Sequence, residues 1–132
     1  DQEVAEEVNR ILTEDRTDGD SLELMDRPKH PEDLVNAVQR MVCVVGFRLH
    51  ACAIAYTYGV PCVALSWDDK VRQFMAYTQR DRFFIEDILD FRRITKTMLE
   101  AIEQPVDPIL RESIAREVSG ALTEAVQDAT AC

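Results

Sequence analysis

Two apolar runs of strand length, Val42-Cys43-Val44-Val45 and Val60-Pro61-Cys62-Val63-Ala64-Leu65, stand on either side of the Ala-rich stretch Ala51–Tyr58. Neither run alternates apolar with polar residues, so each reads as a strand buried on both faces. The stretch between them reads as a helix closed by Gly59. Strand, helix and strand in that order mean parallel pairing, and a parallel sheet is covered on both sides by its crossover helices. Leu22-Glu23-Leu24-Met25 and Phe83-Phe84-Ile85 read as two shorter strands. Apolar positions at helical spacing predict helices over residues 3–14 and 32–41. Asp68 or Asp69 is a candidate N-cap for a helix carrying Val71, Phe74 and Met75. A further helix through Phe91, Ile94, Met98 and Ile102 ends before Pro105. Asp107-Pro108 opens a last long one, in which Leu110, Ile114, Val118 and Leu122 recur every four residues. The expected fold is therefore α/β: a three-layer, Rossmann-like parallel sheet of about four strands (22–25, 42–46, 60–65 and 83–85) flanked by helices.

The 132 residues suffice for one α/β domain spanning 1–132. Such a domain ordinarily begins on a strand, whereas this chain begins on the helix 3–14. It reads as the C-terminal part of a longer, two-domain protein. Fifteen Lys and Arg against 25 Asp and Glu give a net charge of −10. That balance excludes a general nucleic-acid or anionic-membrane surface, because phosphates need compensating cations. An anionic ligand must be held by a local cluster. No apolar run approaches the roughly 20 residues that span a bilayer, and no signal peptide is evident; the expected location is cytoplasmic. The four cysteines, at 43, 52, 62 and 132, form no CxxC pair, so a zinc site is not expected. The first three lie in apolar surroundings and read as buried thiols acting as small hydrophobes. No metal or cofactor is expected.

In open parallel sheets ligands bind beyond the carboxyl ends of the strands, and two such ends carry chemistry here. After strand 42–45 comes Gly46-Phe47-Arg48-Leu49-His50. Gly46 permits a close backbone turn, and Arg48 offers a planar fork of donors for carboxylate or phosphate. His50 falls in the first turn of the following helix, where free N–H groups favour anions. An anion there would make it a proton donor near neutral pH. After strand 60–65 comes Ser66-Trp67-Asp68-Asp69-Lys70, with a hydroxyl, an apolar wall and a point charge. Neighbouring strand ends lie about 5 Å apart, so both loops can reach one small ligand. Plainer readings stand beside these. Arg48 would serve as partner to a carboxylate such as Asp26, His50 would bond a backbone carbonyl, Trp67 would be ordinary core, and Lys70, Arg72, Arg80 and Arg82 would form a solvated face.

The stretches Val44-Val45-Gly46-Phe47-Arg48-Leu49-His50-Ala51 and Gly59-Val60-Pro61-Cys62-Val63-Ala64-Leu65-Ser66-Trp67-Asp68-Asp69-Lys70-Val71 resemble the polysaccharide pyruvyl transferase family. Its members carry G-[MF]-R-L-H at a helix start and G-V-P-x-[VI]-x-L-S-[YW]-[DN]-x-K-V at like spacing. Phe47 stands where Met is common, and residues 91–132 match only as C-terminal helices. The resemblance implies a glycosyltransferase-B-like fold, of which this chain is part of the C-terminal half. It implies transfer of the enolpyruvyl unit of phosphoenolpyruvate onto a pair of saccharide hydroxyls as a ketal. The setting it implies is bacterial cell-envelope polysaccharide biosynthesis, with a saccharide or lipid-linked saccharide as acceptor. It casts Arg48 and His50 as catalytic, and Arg48, Gly46, Leu49, Ser66 and Lys70 as substrate-binding. Two other classes compete: the C-domain of a nucleotide-sugar glycosyltransferase, and a non-catalytic α/β binding module. Against the former, no Gly-rich phosphate loop is present among only four glycines. A homo-oligomer is a further expectation, since an unpaired sheet edge invites pairing between copies.

Overall fold

The computed structural model describes residues 25–26 and 28–130. The chain divides into two compact units, Asp1–Pro31 and Glu32–Cys132, and the architecture below is that of the second. The expected helix 3–14 and residues 22–24 of the expected first strand lie outside the described residues. Met25 is exposed and outside regular structure.

The element order is α1 (Pro31–Gln39), β1 (Val44–Gly46), α2 (Leu49–Thr57), β2 (Cys62–Leu65), α3 (Asp69–Tyr77), a 3-10 turn (Asp81–Phe83), β3 (Phe84–Ile85), α4 (Phe91–Glu103) and α5 (Pro108–Thr130). Pro31 opens α1, where its missing N–H is harmless, and Glu32 and Asp33 complement the dipole of the first turn. The described residues form a three-stranded parallel sheet in the order β1-β2-β3. Val44 pairs with Cys62, Gly46 with Ala64 and Leu65 with Ile85. All four residues of β2 are buried. Successive strand side chains point to opposite faces, so both faces of the central strand are covered. α2 and α4 both pack on β2. The core gathers Cys52 and Ala55 from α2, Val63 and Leu65 from β2, Val71 and Met75 from α3, then Phe83 and Ile85. Cys52 and Cys62 are buried free thiols, as the sequence reading has it, whereas Cys43 is only half-buried, since it precedes β1. The hydrogen bond to Cys52, together with burial, raises the Cys62 thiol well above its ordinary range.

Several features depart from the sequence reading. The expected strand 60–65 is itself shorter, β2 starting at Cys62 because the Val60 N–H is taken by the Ala55 carbonyl at the end of α2. β1 begins at Val44, not Val42, and Val42 is 68% exposed. The reason lies in its neighbour. Pro61 supplies only a carbonyl, which accepts the Val44 N–H at 2.8 Å, and upstream of it the chain turns out of α2 through Gly59. No stretch of β2 is left to pair with residues 42–43. At the other edge, Phe83 belongs to the 3-10 turn, its N–H donating to the Arg80 carbonyl, so β3 is only Phe84–Ile85. In α5 the four-residue apolar row does not stay on the body. Four residues advance a helix by about 400°, so each step rotates the row by about 40°. Leu110 and Ile114 are half-buried, and Val118 and Leu122 are exposed.

α2 and α3 end alike. Gly59 (φ 72°) and Gln79 (φ 55°) take the left-handed conformation just past each helix. Val60 N–H then donates to Ala55 and Arg80 N–H to Met75, which satisfies carbonyls that the helix ends leave open. Arg80 itself is buried, which corrects its placement on a solvated face. Its guanidinium lies 4.0 Å from the Phe83 ring centre and donates to the Gln104 carbonyl at 2.7 Å, fastening the start of the 3-10 turn to the end of α4. Burial lowers its pKa from the usual arginine value.

Candidate active site at the strand exits

Because the strands are parallel, their carboxyl ends emerge on one edge of the sheet. The exits are residues 47–48 after β1, 66–68 after β2 and 86–90 after β3. At the first exit Gly46 is buried, and a β-carbon there would stand 3.3 Å from both Ala51 Cβ and Cys52 Sγ. Glycine is what lets the strand pass this close to the start of α2. Arg48 is the N-cap residue of α2, extended in backbone. Its carbonyl receives the first helical bonds, from Ala51 and Cys52 N–H. Its side chain makes no capping hydrogen bond, is exposed, and forms no ion pair among the described residues. His50, in the first turn of α2, is exposed too. Leu49 between them is half-buried and packs on the core, so it anchors the turn that carries the other two.

At the second exit Ser66 is buried. Its N–H donates to the Ile85 carbonyl at 3.1 Å, and its hydroxyl oxygen accepts the Asp68 N–H at 3.0 Å. Asp68 in turn caps α3, its carboxylate accepting the Lys70 N–H at 2.9 Å. Lys70 is exposed in the first turn of α3. The structure thus puts Gly46, Arg48, His50, Ser66 and Lys70 at the exits of two hydrogen-bonded neighbours, β1 and β2. Ser66 shapes its loop, a role a serine before an acidic N-cap could have signalled. Trp67, whose plainer reading was ordinary core, is 76% exposed. Of the cations assigned to a solvated face, Arg72 pairs with Glu86 and lies 4.8 Å from the Phe84 ring centre, and Arg82 reaches Glu100 at 3.2 Å.

Residues 2–69 match the family model for polysaccharide pyruvyl transferase. That stretch is just over half of the chain. The chain belongs to the polysaccharide pyruvyl transferase family. No curated protein and no solved structure gives a match. The matched stretch takes in Gly46, Arg48, Leu49, His50 and Ser66 and stops one residue short of Lys70. The family is one of transferases of polysaccharide biosynthesis, and in this member of it the exposed Arg48 and His50 stand together at the exit of β1. Among the described residues no three or more His, Cys, Asp or Glu side chains are grouped to hold a metal ion. No helix among them is long and apolar enough to cross a membrane.

Proposed function

We propose that the β1 and β2 exits form the donor part of a pyruvyl transferase site that takes phosphoenolpyruvate and builds a ketal on two saccharide hydroxyls. One observation carries this reading: Arg48 and His50 are both exposed at the exit of β1, fixed by the anchored turn of α2, with the Ser66–Lys70 turn on the strand paired beside it. Phosphoenolpyruvate presents a carboxylate and a phosphate. Arg48 matches either in a two-pronged fashion, and the free N–H groups at the start of α2 face the other. The reaction needs a proton delivered to the methylene carbon and a hydroxyl added at the resulting cationic carbon, with its proton returned to the donor group. Phosphate is then expelled as the second hydroxyl closes the ketal, that hydroxyl's proton leaving with the phosphate. His50 is the group placed to give the methylene its proton. Lys70 offsets charge on the departing phosphate. Gly46 and Leu49 fix the backbone on which the donor rests, and Ser66 holds the second loop.

The test is a phosphoenolpyruvate titration of the full chain by calorimetry, with phosphate release measured in the presence of a saccharide acceptor. Arg48→Ala should abolish donor binding and leave the circular dichroism spectrum and melting temperature unchanged. His50→Gln should keep donor affinity while turnover falls by about 10²-fold or more, the usual scale of a lost general acid. Unchanged donor affinity in Arg48→Ala removes the guanidinium from the site, and full turnover in His50→Gln removes the imidazole from proton transfer.

A further inference from the structure

The exit of β2 holds a feature that donor chemistry does not use. Trp67 is 76% exposed, and Phe47, at the neighbouring exit of β1, is 54% exposed. The backbone beneath Trp67 is held on both sides: Ser66 is buried and accepts from Asp68, and Asp68 caps α3. The indole is therefore presented to solvent from a fixed turn, not displaced by a loose loop. Burying a tryptophan gains more than burying any smaller side chain, so an indole left outside on a rigid turn is placed for a ligand. The two residues that follow it, Asp68 and Asp69, are exposed carboxylates. Asp68 accepts the Lys70 N–H and Asp69 lies 3.7 Å from the Arg72 guanidinium. Each keeps lone pairs for hydroxyl groups, while their charge disfavours an anion stacked on the indole itself. A neutral sugar ring fits both demands, with a flat C–H face for the indole and a rim of hydroxyls for the carboxylates.

We propose that Trp67 is the stacking surface for a pyranose ring of the saccharide acceptor, an assignment that rests on the transferase reading above. Donor and acceptor then occupy adjacent exits: the anion at Arg48 after β1, the neutral ring at Trp67 after β2. Strands paired about 4.8 Å apart bring the two within reach of each other.

Trp67 is the one tryptophan of the chain, so its emission reports the site directly. The experiment titrates the full chain with methyl glycosides of glucose, galactose and mannose, and separately with phosphoenolpyruvate and uridine diphosphate, following emission and heat. The free protein should show the red emission of a hydrated indole. At least one glycoside should shift and quench it. In calorimetry, Trp67→Leu should weaken that glycoside by at least about tenfold, or about 1.4 kcal/mol. Trp67→Phe should restore part of the loss, and phosphoenolpyruvate affinity should hold in both. The assignment is overturned if the free protein already emits blue, which marks a protein surface as the occupant. It is equally overturned if no glycoside binds, if uridine diphosphate shifts the emission instead, or if Trp67→Leu binds the glycoside as tightly as the unaltered chain. Arg48→Ala separates the two readings. Glycoside binding that persists while phosphoenolpyruvate binds neither protein sinks the donor assignment and keeps the stacking surface; an Arg48-dependent donor with an indifferent Trp67 does the reverse.

Discussion

Gly46 and Cys52 are in near contact across the first turn of the candidate site: a β-carbon on Gly46 would lie 3.3 Å from the Cys52 sulfur. The close approach seats α2 on the end of β1 and so sets where Arg48 and His50 emerge. Gly46→Ala forces a shift of a few tenths of an ångström in a fully buried place. We expect a loss of about 1 to 2 kcal/mol, the scale of mild overpacking, and weaker binding of phosphoenolpyruvate. Adding Cys52→Ala should return part of both. Thermal melts and donor titrations of the single and double variants read the result; a double variant no better than the single one places the strain elsewhere.

The second loop depends on a relay of two short hydrogen bonds, Asp68 N–H to Ser66 and Lys70 N–H to Asp68. Asp68→Ala removes the cap of α3 and should cost about 1 kcal/mol, whereas Asp68→Asn or Asp68→Ser should recover most of it. Denaturant unfolding with an unchanged m-value measures this. Equal losses in all three variants would show that charge on the dipole, not the cap bond, is what matters.

The elements bordering the site were legible because their signals are local. The apolar runs ending at Val45 and Leu65, Gly59 after a helix and Asp68 before one each state a boundary within a few residues. What was hidden depended on distant partners. Val42 looks like strand, yet pairing stops where Pro61 leaves the sheet. Arg80 looks like surface charge, yet the ring of Phe83 and the Gln104 carbonyl, 24 residues away, draw it inside. Leu122 looks like core, and the slow rotation of its row carries it into solvent. At the site the residue types at each exit were readable, but exposure was not. The spacing that sends Leu49 onto the core and leaves Arg48 and His50 outside emerges only when α2 is docked.

Gln79 holds the conformation that Gly59 holds at the matching position, with φ of 55° and 72°. A side chain in the left-handed region costs about 1 kcal/mol that glycine avoids. Gln79→Gly should therefore stabilise the chain by about 0.5 to 1 kcal/mol, and Gly59→Ala should destabilise it by at least as much. Melting temperatures moving in opposite directions confirm the equivalence of the two helix ends. A destabilised Gln79→Gly would mean that the Gln79 side chain contributes contacts worth more than the strain.

The buried thiols set an alkaline limit. Cys43 is raised above its ordinary 9.0 chiefly by burial, and Cys62 by its hydrogen bond to Cys52 together with burial. In the unfolded chain both ionise near 9.0. Above that pH the unfolded state has released protons that the folded state keeps, so stability falls as pH rises. The contribution is fully present below about pH 9 and is lost above it, by at most about 1.4 kcal/mol per pH unit for each such thiol. Cys52, lowered by the hydrogen bond from Cys62, works in the opposite sense and trims the slope. Melts recorded from pH 7 to 10.5 should show the decline beginning near pH 9. Cys43→Ala should flatten it without the complication of the coupled pair; a curve as steep in that variant as in the unaltered chain assigns the decline to other groups.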